Sequence, residues 1–300
     1  MDLALTIAQT NPTLGDVHEN LGEHLRVATA AADEGADLVL FPELSLTGYF
    51  LRDQVFDLAV APDDALLDPL RDLSRRVTLV IGLAERAPDG RCFNSQVVLE
   101  DGAVLAVHRK VHLVSYGMFD EGRDFAAGEA WDTVTSKHGR FGLFLCEDLW
   151  HLGGQYLRLL DRVDAFLVGS AGPGRGVSPR STDGDAAPRF ESVDTWHTLL
   201  GAAAMHAQCY VAWANRVGFE DGIAFGGSSA VLGPEGRELA ACPGLDEGTA
   251  TAHLTSAALF RARQRTPLLR DSRPELVRRA LADPAPDDDA GTEVGDPDRR

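Results

Sequence analysis

Cysteine is scarce in this chain, and basic charge is outweighed by acid. Cys92, Cys146, Cys209 and Cys242 stand far apart, with no Cys-x-x-Cys pair and no zinc-type His spacing among His108, His112, His138 and His151. That argues against a metal site, and the thiols beside apolar runs read as reduced and buried rather than as a disulfide framework. Lys and Arg total 28 against 46 Asp and Glu, a formal net charge of −18. Nucleic acid and anionic membrane surfaces are thereby disfavoured as partners, because phosphate recognition needs clustered cations. No apolar run approaches the roughly eighteen residues of a membrane span. The start, Met1-Asp2-Leu3-Ala4, has no basic segment followed by a long apolar one. A cytoplasmic location is the expectation.

What is present is a regular alternation of apolar runs and helical patterns. Leu3–Ala8 reads as a strand, and Asp16 with Glu19 three residues on marks a helix start continued by Leu21, Leu25 and Ala28. Asp37–Phe41 and Val77–Ala84 are continuous apolar runs, as in strands covered on both faces. Phe93–Glu100 and Val104–His108 flank Asp101-Gly102, a hairpin signal. Further strands are expected at Phe141–Leu145, Ala165–Val168, Cys209–Ala214, Ile223–Leu232 and Thr249–Leu254. Helices are expected after Cys146 and over Phe190–Ala207 and Ser256–Gln264. Hairpins interrupt the alternation, which favours two mixed sheets packed on each other with helices outside. From Asp283 the chain carries seven acidic residues against Arg299 and Arg300, and its Pro, Gly and Asp content reads as disordered.

Three short segments carry the chemistry: Phe41-Pro42-Glu43-Leu44, Arg109-Lys110-Val111-His112 and Leu145-Cys146-Glu147-Asp148. Each ends or follows an apolar run, so each can set a polar side chain at the mouth of a buried sheet. A carboxylate, an ammonium and a thiol meeting there form a complete acyl-transfer site. The Glu takes the thiol proton, the thiolate attacks, and the Lys faces the oxyanion. Cys146 at a strand-to-helix junction is also where a helix N-terminus lowers a thiol pKa. Read singly, Cys146 is equally an inert buried thiol, Glu43 a loop carboxylate and Lys110 a surface charge.

Together, in this order, the segments resemble the Glu-Lys-Cys triad of the nitrilase, or carbon–nitrogen hydrolase, superfamily. The resemblance runs from Leu3 to about Arg270 and implies an α/β fold, a four-layer α-β-β-α sandwich. It implies a hydrolase domain over residues 1–282, with 283–300 as an acidic tail. It assigns Glu43 as base, Lys110 as oxyanion partner, Cys146 as nucleophile and the Glu147 N–H as a second oxyanion donor. Glu121, or its neighbour Asp120, takes the place of a supporting carboxylate, and Tyr116, Phe119 and Trp150 line the pocket. Neither His112 nor His151 is taken as a base, since the family uses a carboxylate. The implied reaction is hydrolysis of a non-peptide C–N bond, an amide first, with carbamoyl compounds and nitriles as alternatives and no cofactor. A silent binding scaffold of the same fold is the contrary reading. Cys146-Glu147-Asp148-Leu149-Trp150 and Tyr116-Gly117-Met118-Phe119-Asp120-Glu121 most resemble the glutamine-amidase domain of glutamine-dependent NAD synthetases. That implies an ammonia-accepting synthetase as partner, on a separate protein since the sequence carries no Ser-Gly-Gly-x-Asp-Ser motif. A homodimer or larger homo-oligomer is the family expectation. Arg175 and Arg180 are candidates for recognising a substrate carboxylate.

Overall fold

The computed structural model describes residues 1–131, 133–177 and 189–282. Two six-stranded mixed sheets form its centre. The first contains β1 (Asp2–Gln9), β2 (Leu38–Leu40), β3 (Thr78–Arg86), β4 (Cys92–Glu100) and β5 (Ala103–Arg109). The second contains β6 (Thr133–Ser136), β7 (Gly139–Leu145), β8 (Ala165–Ser170) and β9 (Tyr210–Asn215). A two-stranded ribbon, β10 (Phe219–Glu220) and β11 (Ile223–Ala224), precedes β12 (Ala230–Leu232) and β13 (Glu238–Ala241). The order is β13-β12-β9-β8-β7-β6 in the second sheet, and β14 (Gly248–Thr255) returns to the edge of the first beside β1.

The apolar runs are explained by burial on two sides. Val80 points into the core between the sheets, while its neighbours Leu79 and Ile81 pack with Val27 and Ala28 of the helix Val17–Asp33. Leu167 likewise joins the inter-sheet core, and Phe166 and Val168 face Leu200 and Ala204 of the helix Glu191–Ala207. The result is the expected helix–sheet–sheet–helix sandwich. The Asp16 carboxylate accepts the Glu19 N–H at 3.0 Å, so the helix starts where the sequence places it. The hairpin also forms as read, with Asp101 and Gly102 both at positive φ, as a two-residue turn of this hand requires.

Two expectations are corrected and one element is added. Ile223–Leu232 is not one strand: it is split into β11 and β12, which pair with β10 and with β9 and β13. The helix after Cys146 begins only at Leu152, and Cys146–Trp150 is a short 3-10 turn. A helix at Pro274–Ala282, unanticipated, ends the described chain, so residues 283–300 lie outside it. Among the described residues no helix is long and apolar enough to cross a membrane.

Candidate site residues fall at strand ends. Glu43 follows β2, Lys110 follows β5 and Cys146 follows β7. The turn holding Glu43 is pressed onto β3, where Phe41 N–H donates to Val80 O at 2.8 Å and Leu46 N–H to Gly82 O at 2.9 Å. A Cβ on Gly82 would stand 2.4 Å from Pro42 O and 2.5 Å from Leu44 N, so only glycine admits this approach. Gly82→Ala should therefore cost about 1–3 kcal/mol through overpacking, read as a lower urea midpoint. An unchanged midpoint would show that the turn can give way freely.

Candidate active site

Segments that lie far apart in the sequence, as Glu43 and Cys146 do, converge between the two sheets. Lys110 is 1% exposed, and its Nζ donates to Glu43 Oε1 and to Glu121 Oε1, each at 2.6 Å. Each carboxylate is fully served. Glu43 also accepts Asn94 Nδ2 at 2.8 Å and the Ala171 N–H at 2.9 Å. Glu121 also accepts the Val114 N–H at 2.8 Å and the Tyr49 hydroxyl. An ammonium has three N–H groups, so two are committed and one remains for an incoming oxygen. Glu121, not exposed Asp120, is thus the second carboxylate at Lys110.

Cys146 and Leu44, which follows Glu43, are both left-handed, with φ of 45° and 49°. Each such non-glycine residue costs about 1–2 kcal/mol, and the strain sits at the two turns that present a reactive side chain. Ser170, at the end of β8, donates to Cys146 Sγ at 3.5 Å. Sγ opens on a cavity of about 190 Å³ that Tyr49, Tyr116, Phe119, Glu147, Trp150 and Arg175 help to line. Tyr116, Phe119 and Trp150, expected to line the pocket, all border this cavity, and Glu147, expected as an oxyanion donor, borders it too. Arg180 lies outside the described residues. The His112 ring bonds Asp148 and stacks on His151 at 3.5 Å between centroids.

The charges set the poise of the site. Burial pushes the Cys146 thiol well up, Glu43 adds to this, and Lys110 and Ser170 oppose it without prevailing. The helix-dipole expectation is overturned, because the α-helix starts too late to act on Sγ and desolvation dominates. Burial also raises Glu43, against the pull of Lys110. For Lys110 itself burial disfavours the charge, but Glu43 and Glu121 together raise it well above a lysine's ordinary value. Such a set keeps the thiol protonated at rest, with a carboxylate of raised basicity and a permanent cation in the same buried group.

Residues 4–264 match the model of the carbon-nitrogen hydrolase family. The chain belongs to that family. It is 31% identical over 243 residues to a glutamine-dependent NAD(+) synthetase of Thermotoga maritima, covering 78% of this chain and 39% of that protein. It thus spans about two-fifths of the length of the curated synthetases it matches. The solved glutamine-dependent NAD+ synthetase of Acinetobacter baumannii aligns with a TM-score of 0.76 and 26% identity, over 86% of this chain and 47% of that one. A mutant amidase of the nitrilase superfamily from Nesterenkonia AN1 aligns with a TM-score of 0.74 and 25% identity, over 92% and 96%. A carbon-nitrogen hydrolase from Helicobacter pylori G27 shares the fold at a TM-score of 0.81, with 24% identity over 93% and 98%.

Two residues of this carbon-nitrogen hydrolase escaped sequence reading. Ser170 ends an ordinary apolar strand and carries no local signal. Tyr49 stands inside the Phe41–Tyr49 motif, yet nothing local says that its hydroxyl reaches Glu121, 72 positions on. Its backbone is held in place too, since Glu220 accepts the Tyr49 N–H at 2.7 Å and is itself paired with buried Arg216. Tyr49→Phe removes one of three donors from a buried carboxylate and should cost about 1.5–3 kcal/mol in denaturant unfolding. A loss below the error of the measurement would show that the hydroxyl bond contributes little.

Proposed function

We propose that this chain hydrolyses the C–N bond of a small amide through a thioester on Cys146. The observation carrying this reading is the buried Lys110 clasped by Glu43 and Glu121 behind a thiol that faces a small cavity. The thiol is not ionised at rest, so its proton must leave as it attacks. Glu43, its basicity raised by burial, takes that proton while sulfur bonds the carbonyl carbon. The oxyanion is met by the remaining Lys110 N–H and the Glu147 backbone N–H. Glu43 then hands the proton to the departing nitrogen, the C–N bond breaks, and a thioester remains. Water deprotonated by Glu43 attacks it and releases the acid and the thiol. Glu121 keeps Lys110 charged and aimed. No step calls for a metal or an organic cofactor.

Within amides, the ω-amide of an α-amino acid, glutamine foremost, has a specific observation in its favour. Glu147 and Arg175, of opposite charge, line the same cavity, and Glu147 is steadied by the Tyr116 hydroxyl at 2.9 Å. Such a pair suits an α-ammonium and an α-carboxylate. The similarity to glutamine-dependent synthetases agrees, and an ammonia-consuming synthetase is the partner this reading implies. Pairing into a homodimer is part of the same proposal.

Ammonia release would be assayed with glutamine, other ω-amides, aliphatic amides, N-carbamoyl amino acids and nitriles. Turnover abolished in Cys146→Ala is the expected result. A folded protein whose Cys146 resisted alkylation and that turned over none of them would sink the amide reading and leave the silent scaffold. The pH profile gives a second check. Activity needs Glu43 ionised, so kcat/KM should fall as pH drops through a pKa above the ordinary 4.5 of a glutamic acid. Lys110 should cause no alkaline loss below its ordinary 10.5, because its charge is held above that value. An acid limb at or below 4.5 would remove Glu43 from the role of base.

A further inference from the structure

The proposed reaction leaves one fully buried carboxylate without a task. Asp148 is 0% exposed and stands two residues past Cys146. Its Oδ1 accepts the backbone N–H groups of Val111 at 3.0 Å and His112 at 2.9 Å, and His112 Nδ1–H at 3.2 Å. Its Oδ2 accepts His108 Nε2–H at 3.0 Å and the Leu145 N–H at 3.2 Å. One side chain is thus bonded to residues on both sides of Lys110 and to the residue just before Cys146. Lys110 and Cys146 follow β5 and β7, which belong to different sheets, so no strand ladder sets their spacing. Burial works against the Asp148 charge, but the bonds from His108 and His112 prevail and hold the carboxyl well below its usual range. The joint is therefore an anion whose two oxygens are shared among five donors.

We propose that Asp148 is a positioning residue whose carboxylate fixes the spacing between the Lys110 ammonium and the Cys146 thiol. The role rests on the reading of those two groups as the reacting pair. Asn at this position is isosteric but offers one acceptor oxygen. Its amide N–H groups must face either the Lys110 side or the His108 and Leu145 donors, so one half of the joint opens.

The test uses iodoacetamide on the folded protein, with the Cys146 peptide followed by mass spectrometry to separate it from buried Cys92, Cys209 and Cys242. Asp148→Asn should slow alkylation of Cys146 about ten- to a hundred-fold, the scale of a misplaced reacting group. The turnover number for the amide substrate should fall by a similar factor with KM retained. A merely structural carboxylate would lower the melting temperature and the fraction that reacts, while the folded remainder alkylated at the wild-type rate. That result overturns the proposal. Should Asp148→Asn give no soluble protein, His108→Ala and His112→Ala remove one donor from each oxygen. Slower alkylation in either supports the role, and wild-type rates in both overturn it. A wild-type protein that turned over no amide would sink the amide reading alone, since alkylation rates still decide the positioning role.

Discussion

A lysine ammonium sealed between two carboxylates is the interaction on which the rest of this structure depends. Burying three ions is costly, and their mutual attraction offsets that cost only when other lone pairs of the carboxylates are met as well. The fold meets them with groups from unrelated parts of the chain: Asn94, Ala171, Val114 and Tyr49. Much of the surrounding architecture can be read as what that arrangement requires. β3 must carry glycine at position 82 for the Glu43 turn to approach it, and a buried Arg216–Glu220 pair must hold the backbone of Tyr49.

The same cluster explains why the thiol is poised by its neighbours rather than by a helix. One cation faces two anions, so the group carries a net negative charge that resists a further anion at Cys146. A permanently ionised cysteine is therefore not the resting state. In the proposed reaction, proton transfer to Glu43 and attack on carbon become one event, and Lys110 acts where charge develops on oxygen. The left-handed turns at Leu44 and Cys146 belong to this picture, since strain at the presenting residues persists only where packing overdetermines it.

Much of this was legible without coordinates, and for local reasons. The strand Leu3–Ala8, the Asp16 helix start and the Asp101-Gly102 hairpin follow from burial on both faces, capping and turn chemistry, which act over a few residues. The break between β11 and β12 falls at Gly226-Gly227-Ser228-Ser229, which a bulge inside one continuous strand would accommodate equally well. Cys146 was read as abutting the helix that follows it, since nothing in Cys146–Trp150 marks the 3-10 turn that stands between them. Glu121 and Asp120 are indistinguishable as adjacent acids until burial of the first and exposure of the second separate them.

The sequence by itself determined the family, the sandwich and the identity of three converging residue types, because each rests on a contiguous motif at the end of an apolar run. Tertiary structure alone decided which acid meets Lys110, that Tyr49 and Ser170 belong to the site, and that the thiol pKa is raised and not lowered. The physical reason is common to all of these. The Ser170 to Cys146 contact follows from the pairing of β7 with β8, and the Tyr49 to Glu121 bond and the desolvation of Sγ from segments far apart in sequence packing together. Those contacts are set by strand pairing and by the packing of loops at the strand ends, not by spacing along the chain.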